Sequence, residues 1–224
     1  MSPPRVLLFD WDNTLVDGWA VIQSALNATF AAFGKPEWSR AEVLANVRKS
    51  LRDSFPEHFG TEWERARDIF YAAIDAAPPD AVQPLPGTLP MLEAATPWPL
   101  GVVSNKQGPL LRREAAQLGL AARFGVLVGA GDAVADKPHA APLLMALGAL
   151  GHAPGPDVWY VGDTVLDMQA ARAAGCRAVL LGDAAHDGGV ERAAPDLLFA
   201  DGHALAAHLC TLDKCAWNAE SRKH

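Results

Sequence analysis

The stretch Phe9-Asp10-Trp11-Asp12-Asn13-Thr14-Leu15 decides how the rest of the chain is read. It follows Arg5-Val6-Leu7-Leu8, a short apolar run that reads as a buried strand. Two carboxylates thus stand where a strand runs out into a loop. Residues i and i+2 of a strand face the same side, so Asp10 and Asp12 can converge on one ligand. Carboxylates this close repel, and one pKa rises unless a cation neutralises the pair. The pair suits a metal ion, or an attacking carboxylate beside a proton carrier, or solvated acids at a strand end.

Outward from this stretch the periodicity turns helical. Trp19, Ile22, Leu26, Thr29, Phe30 and Phe33 share one stripe, closed by Gly34 and Pro36. Ser39-Arg40-Ala41-Glu42 reads as a capping box opening a second helix with the stripe Val43, Val47, Leu51 and Phe55. Thr61-Glu62-Trp63-Glu64 reads as another, ahead of Trp63, Ala66, Phe70, Ala73 and Ile74. Pro78-Pro79 and Pro84-Leu85-Pro86-Gly87 close the segment. Residues 18–85 are therefore expected to form an all-helical insert between turn-rich hinges.

From Gly87 onward strands alternate with helices, the pattern of a parallel sheet wrapped by helices. Strands are expected at Leu100–Val103, Gly125–Val128, Val158–Gly162, Ala178–Leu181 and, at an edge, Leu197–Phe199. The fold class is α/β, a Rossmann-like core of residues 1–17 and 86–209 carrying the helical insert. Residues 210–224 are polar with weak periodicity and are expected to lie loosely on the surface.

Composition bounds the rest. A chain of 224 residues, half of them hydrophobic, can bury a sizeable core. With 19 basic and 26 acidic residues the net charge is −7, which argues against nucleic acid as a main partner. No run of about 18 apolar residues is present, so no membrane span is expected. The short, uncharged start Met1-Ser2-Pro3-Pro4 does not read as a signal peptide. Cys176, Cys210 and Cys215 have no metal or redox spacing, and the odd count suits reduced thiols in the cytoplasm. Cys176 reads as a small packing residue, and Cys210 and Cys215 as reduced thiols, with cross-linking on oxidation as the alternative.

Ligands of open parallel sheets bind outside the carboxyl ends of the strands. Those ends carry Asp10 and Asp12, then Ser104 and Asn105, then Lys137, then Asp163, with Asp167 one helical turn further on. Four carboxylates cannot share a site without cationic compensation. Lys137 supplies one charge, and a hard divalent cation is the natural supplement. A hydroxyl, an amide and a lysine beside that cation make an anion cradle. The set describes a phosphoryl-transfer site with a carboxylate nucleophile.

On these residues the chain resembles the haloacid dehalogenase-like hydrolase superfamily, in its phosphoglycolate-phosphatase-like branch. The family's DxDx[TV] matches Asp10-Trp11-Asp12-Asn13-Thr14, and its strand-end Ser or Thr matches Ser104. Its lysine before proline matches Lys137-Pro138, and its GDxxxD matches Gly162-Asp163-Thr164-Val165-Leu166-Asp167. The resemblance covers roughly residues 5–209. It implies that Asp10 attacks phosphorus, and that Asp12 protonates the leaving alcohol and then activates water. It implies Mg²⁺ held by Asp10, the backbone carbonyl of Asp12 and Asp163, with Asp167 just behind. It implies phosphoryl binding by Ser104 and Lys137, and a cap that closes over the site. Members that remove halide lack the second aspartate, so Asp12 argues against dehalogenation. A sugar-phosphate mutase or a catalytically silent binding protein keeps the same fold and stays open as an alternative. The implied substrate is a small phosphorylated metabolite, phosphoglycolate first, and the implied state is a monomer or small homo-oligomer. Relatives often have leucine at Trp11 and glycine at Asn13, which weakens substrate inference.

Outside the core motifs, Arg48, Lys49 and Arg52 are expected on the second cap helix, either gripping a substrate anion or forming a solvated face. Asp17 reads as a hinge or helix-start acid, His139 as a capping or surface residue, and Trp11 and Trp19 as core or pocket-mouth residues. Thr14 is expected to fix its own loop through local hydrogen bonds.

Overall fold

The computed structural model describes residues 3–78 and 80–220, with side chains up to residue 212. Strands and helices follow in the order β1 (Val6–Phe9), β2 (Val16–Asp17), α1 (Trp19–Ala32), α2 (Arg40–Asn46), α3 (Leu51–Phe59), α4 (Trp63–Asp75), β3 (Gln83–Pro84) and α5 (Thr88–Ala94). Then come β4 (Leu100–Gln107), α6 (Gly108–Gln117), β5 (Val126–Ala130), α7 (Ala141–Leu150), β6 (Val158–Gly162), α8 (Val165–Ala173), β7 (Arg177–Leu181), α9 (Gly189–Ala193), β8 (Leu197–Phe199) and α10 (Gly202–Glu220).

Six strands form one sheet in the order β5-β4-β1-β6-β7-β8, and every pairing is parallel. β1 has no exposed residue because it is central and covered on both faces, which is why it reads as an unbroken apolar run. Alternation divides its side chains. Leu7 and Phe9 join Val102, Trp159 and Val161 beneath Met91, Leu111 and Leu205 of α5, α6 and α10. Val6 and Leu8 join Tyr160, Ala178 and Leu180 beneath Leu143, Leu147 and Met168 of α7 and α8. β1 lies between β4 and β6, where the strand order reverses, so its carboxyl end opens on the crevice such sheets offer to ligands.

The segment between β2 and β3 has an apolar cluster of its own, built on Leu26, Phe30, Val43, Phe55, Phe59 and Phe70. Leu110 of α6 joins it from the core. β2 and β3 pair antiparallel, Val16 with Pro84 and Asp17 with Gln83, and tie together the points where the chain leaves and re-enters the core.

Three local expectations need correction. The second cap helix is two helices: Val47 turns extended and Ser50 takes the extended N-cap position of α3, leaving Arg48 and Lys49 in the connection. An apolar stripe at helical spacing cannot register such a break. The Ser39–Glu42 capping box forms, but the Thr61 box does not, because residues 60–62 make a 3₁₀ turn ahead of α4. Past Leu209, α10 continues to Glu220 with no Gly or Pro to interrupt it, and Leu212 still packs on the core, while residues 221–224 of the expected tail lie outside the described residues. Two further helices, α5 and α9, form in stretches for which no element was expected. Cys210 is exposed and free, Cys176 is buried, and Cys215 lies outside the described side chains. Among the described residues no helix is long and apolar enough to cross a membrane.

Candidate active site

The β1 loop turns back on itself at Asn13, whose φ of 61° is left-handed, a conformation asparagine tolerates better than most residues. That turn sets Asp10 and Asp12 over the sheet edge. β4 brings Ser104, buried at the same edge, and the loop after β5 brings Lys137. Asp163 follows directly on β6, and Thr164 then caps α8. The Thr164 hydroxyl and N–H donate to Asp167 Oδ2 at 2.6 and 3.0 Å, in a capping box that also fixes Asp167.

Lys137 is the hub. Its Nζ lies 2.8 Å from Asp10 Oδ1, and donates to Asp167 Oδ1 at 2.7 Å and to the Tyr160 hydroxyl at 2.9 Å. Tyr160 donates in turn to the Val103 carbonyl at 2.8 Å. The Asn105 side chain accepts from the Lys137 N–H at 3.0 Å and donates to the Lys137 carbonyl at 3.1 Å, fixing the lysine backbone. Asn105 is therefore a brace for Lys137 and also donates to the Arg48 carbonyl of the cap at 3.3 Å.

Asp10, Asp163 and Asp167 each offer a carboxylate oxygen, all within 4.8 Å of one another and all buried. Burial pushes the Asp10 carboxyl up to about 6, the neighbouring Lys137 limiting the rise. Burial, with Asp167 and Asp10 adding repulsion, drives Asp163 well above the usual carboxylate range. Burial works against Asp167 too, yet Lys137 and Thr164 outweigh it and hold its carboxyl low. Desolvation pulls Lys137 down, but Asp10 and Asp167 prevail and keep it a firm ammonium. Three acids against one lysine leave negative charge in a buried, all-oxygen cluster. That donor set fits a hard divalent cation such as Mg²⁺. Thr14, expected to bond locally, instead donates to Asp163 Oδ1 at 3.0 Å across 149 positions, aiming that carboxylate.

Asp12 stands apart from this cluster. Its Oδ1 lies 2.9 Å from Lys106 Nζ, which lies 2.5 Å from Glu114 Oε2, and the same Glu114 oxygen accepts from the Trp11 indole at 2.9 Å. Desolvation opposes the Lys106 charge, but Asp12 and Glu114 raise its pKa on balance. Gly18 leaves room on the other side, since a Cβ there would stand 2.4 Å from Asp12 Oδ1. The chain thus sets two carboxylates side by side with different partners, the usual route to two chemical roles.

Sequence reasoning missed Lys106, Glu114 and Tyr160. Lys106 follows two residues it did single out, but Glu114 lies mid-helix and shows no signal until α6 packs on the β1 loop. It missed His186 as well, whose Nε2 lies 3.6 Å from Asp163 Oδ2. Burial depresses the His186 pKa, Asp187 partly offsetting it.

Of the cap cations, Arg52 and Arg48 reach acids of the core, whereas Lys49 lies on a solvated face, the second of the expected alternatives. Arg52 Nε and Nη2 each donate to Asp136 at 2.6 Å, next to Lys137 in the chain. Arg48 Nε lies 2.7 Å from Asp187 Oδ1, and its Nη2 donates to the His186 carbonyl at 2.8 Å. Lys49 pairs with Glu57 at 2.7 Å, both largely exposed. Arg48 and Lys49 line the cleft between cap and core. Of the minor residues, Asp17 caps the start of α1 by accepting from the Trp19 N–H, and His139 accepts from Ala141 N. Trp11 is fully buried and Trp19 lines the cleft.

Comparison with known proteins covers the segment that carries these motifs. The family model described as haloacid dehalogenase-like hydrolase matches residues 7–181. The chain belongs to that family. A phosphoglycolate phosphatase of Yersinia pseudotuberculosis is 34% identical over 184 residues, 77% of this chain and 78% of its own length. One of Xylella fastidiosa is 36% identical over 181 residues, 77% of each chain. The membership is accordingly in the phosphoglycolate-phosphatase-like branch of these hydrolases. Among solved structures, a haloacid dehalogenase-like hydrolase from Streptococcus pneumoniae superposes with a TM-score of 0.79 at 24% identity, over 92% of this chain and 98% of that one. A hydrolase of the same superfamily from Ehrlichia chaffeensis gives 0.66 at 24%, over 95% and 98%. At these identities the structures speak for the fold.

Proposed function

We propose that this hydrolase is a Mg²⁺-dependent phosphatase that cleaves a small phosphate monoester through an aspartyl-phosphate on Asp10. The observation that carries the proposal is the buried cluster of Asp10, Asp163 and Asp167 around a single ammonium. When bound there, a divalent cation neutralises the phosphoryl oxygens and keeps the carboxylates ionised. Asp10, Asp163 and the backbone carbonyl of Asp12 are the groups to hold it.

The side chains divide the remaining work. Lys137 and Ser104 bind and orient the transferring phosphoryl group, and Asp167 with Tyr160 holds Lys137 for that task. Asp10 attacks phosphorus, the ester P–O bond breaks, and the leaving oxygen takes a proton from Asp12. The ionised Asp12 then takes a proton from water, which attacks phosphorus, frees Asp10 and releases inorganic phosphate. Lys106 keeps the Asp12 carboxylate turned to the leaving-group side while Glu114 balances the lysine charge. The cap excludes bulk water from the covalent intermediate.

Phosphoglycolate is the substrate that the relatives' names suggest first. Phosphate release from p-nitrophenyl phosphate, with and without Mg²⁺, tests the proposal. Metal-dependent turnover is the expected result, and none at millimolar Mg²⁺ would overturn it.

A further inference from the structure

The cap wall of the cleft differs in chemistry from the core wall, where Asp10, Ser104, Lys137 and Asp163 stand. The cleft holds about 930 Å³ of empty space open to solvent. The cap contributes to its walls Trp19 and Ile22 of α1, Val47 and Leu51 of the cap connection and helix α3, and Tyr71 of α4. Each of these is only half-buried, so apolar surface faces the open space. Uncovered apolar surface in a concave site marks a place for an apolar ligand group.

The charged walls are already matched. Four cations line the cleft: Lys137, Lys106, Arg48 and Lys49. Lys137 serves Asp10 and Asp167, and Lys106 serves Asp12 and Glu114. Arg48 serves Asp187, whose side chain is 1% exposed. Lys137 is committed to the phosphoryl group, and transferring Lys106 or Arg48 to a substrate carboxylate would strand a buried acid, which is strongly unfavourable. Lys49 alone is held by an exposed pair, at the rim. Among the described residues, no cation of the cleft interior is unengaged by an acid of the chain.

We infer that the ester hydrolysed here carries its phosphoryl group as the only charge, on an apolar alcohol or phenol that packs against Trp19, Ile22, Leu51 and Tyr71. The inference rests on the phosphatase reading above and names its substrate class. It sets this chain apart from a site made for a two-carbon ester ending in a carboxylate.

The test measures kcat/KM with Mg²⁺ for ethyl, butyl and hexyl phosphate and for phosphoglycolate, which is close to ethyl phosphate in size. Each methylene buried raises kcat/KM by about fourfold, so butyl should exceed ethyl phosphate by roughly sixteenfold, and phosphoglycolate should not exceed ethyl phosphate. Ile22→Ala and Leu51→Ala, half-buried positions whose trimming the cap should survive, should each flatten the rise with chain length. A flat series in the unaltered enzyme, or phosphoglycolate more than tenfold better than ethyl phosphate, would overturn the inference and leave the phosphatase reading standing. Release of phosphate from none of the four esters would overturn the phosphatase reading itself.

Discussion

Arg52→Ala removes the clearest bond between cap and core. The arginine fork donates twice to Asp136 at 2.6 Å, and the Asp136 side chain is 2% exposed against 37% for Arg52. Without the fork, Asp136 keeps the Gly131 N–H at 3.1 Å. Stranding one member of a fully buried pair costs about 3–5 kcal/mol, and an exposed pair is worth under about 1 kcal/mol. This half-screened pair should fall between, at about 2 kcal/mol. Because it joins the cap to the segment carrying Lys137, the loss falls on the closed state. About 2 kcal/mol is roughly a thirtyfold change in population. The variant should therefore lose up to about thirtyfold in kcat/KM, equally for p-nitrophenyl phosphate and for phosphoglycolate. Steady-state kinetics on both substrates decide the matter. A loss confined to phosphoglycolate would mean that Arg52 reads a substrate anion instead, and no loss beyond twofold would refute the clasp.

Three further outcomes are expected. Mg²⁺ at a hundredfold excess over its Kd should stabilise the fold by about 2.7 kcal/mol, read as a rise in Tm, and Asp163→Asn should remove most of that rise; a Tm insensitive to millimolar Mg²⁺ would count against a metal at this cluster. Because burial raises the Asp10 pKa from 3.8 to about 6, its contribution to apoprotein stability is fully present below pH 4 and is lost as pH climbs through about 6. The stability of the metal-free protein relative to Asp10→Asn should fall across that window by about 3 kcal/mol at most, and a rise would contradict the stated environment. Lys106→Met should lower kcat by about tenfold or more with little change in KM, partly restored by Lys106→Arg, whereas an equal rise in KM would assign Lys106 to substrate binding.

The core motifs were legible because strand ends in a parallel sheet announce themselves locally: an apolar run, then a polar residue at the edge. Asp10, Ser104 and Asp163 each follow such a run, Lys137 stands before a proline in the loop after the next strand, and parallel topology brings these ends together. The cap as a helical insert was legible from its stripes. What stayed hidden depends on pairs far apart in sequence. Trp11 and Glu114 meet across 103 positions, Arg52 and Asp136 across 84, and Thr14 and Asp163 across 149. No local pattern in a single chain encodes these pairings. The break at Val47–Ser50 was hidden for another reason: the apolar spacing runs straight through it, and only the backbone reveals that Arg48 has left the helix.

The central claim is that Asp10 becomes covalently phosphorylated. Enzyme in excess over a ³²P-labelled aryl phosphate, mixed with Mg²⁺ and quenched in acid within the first turnover, tests it most directly. The expected result is label on the peptide containing Asp10, removed by hydroxylamine and absent from Asp10→Asn. Label on another residue, or an Asp10→Asn variant that retains more than about a tenth of kcat, would contradict it.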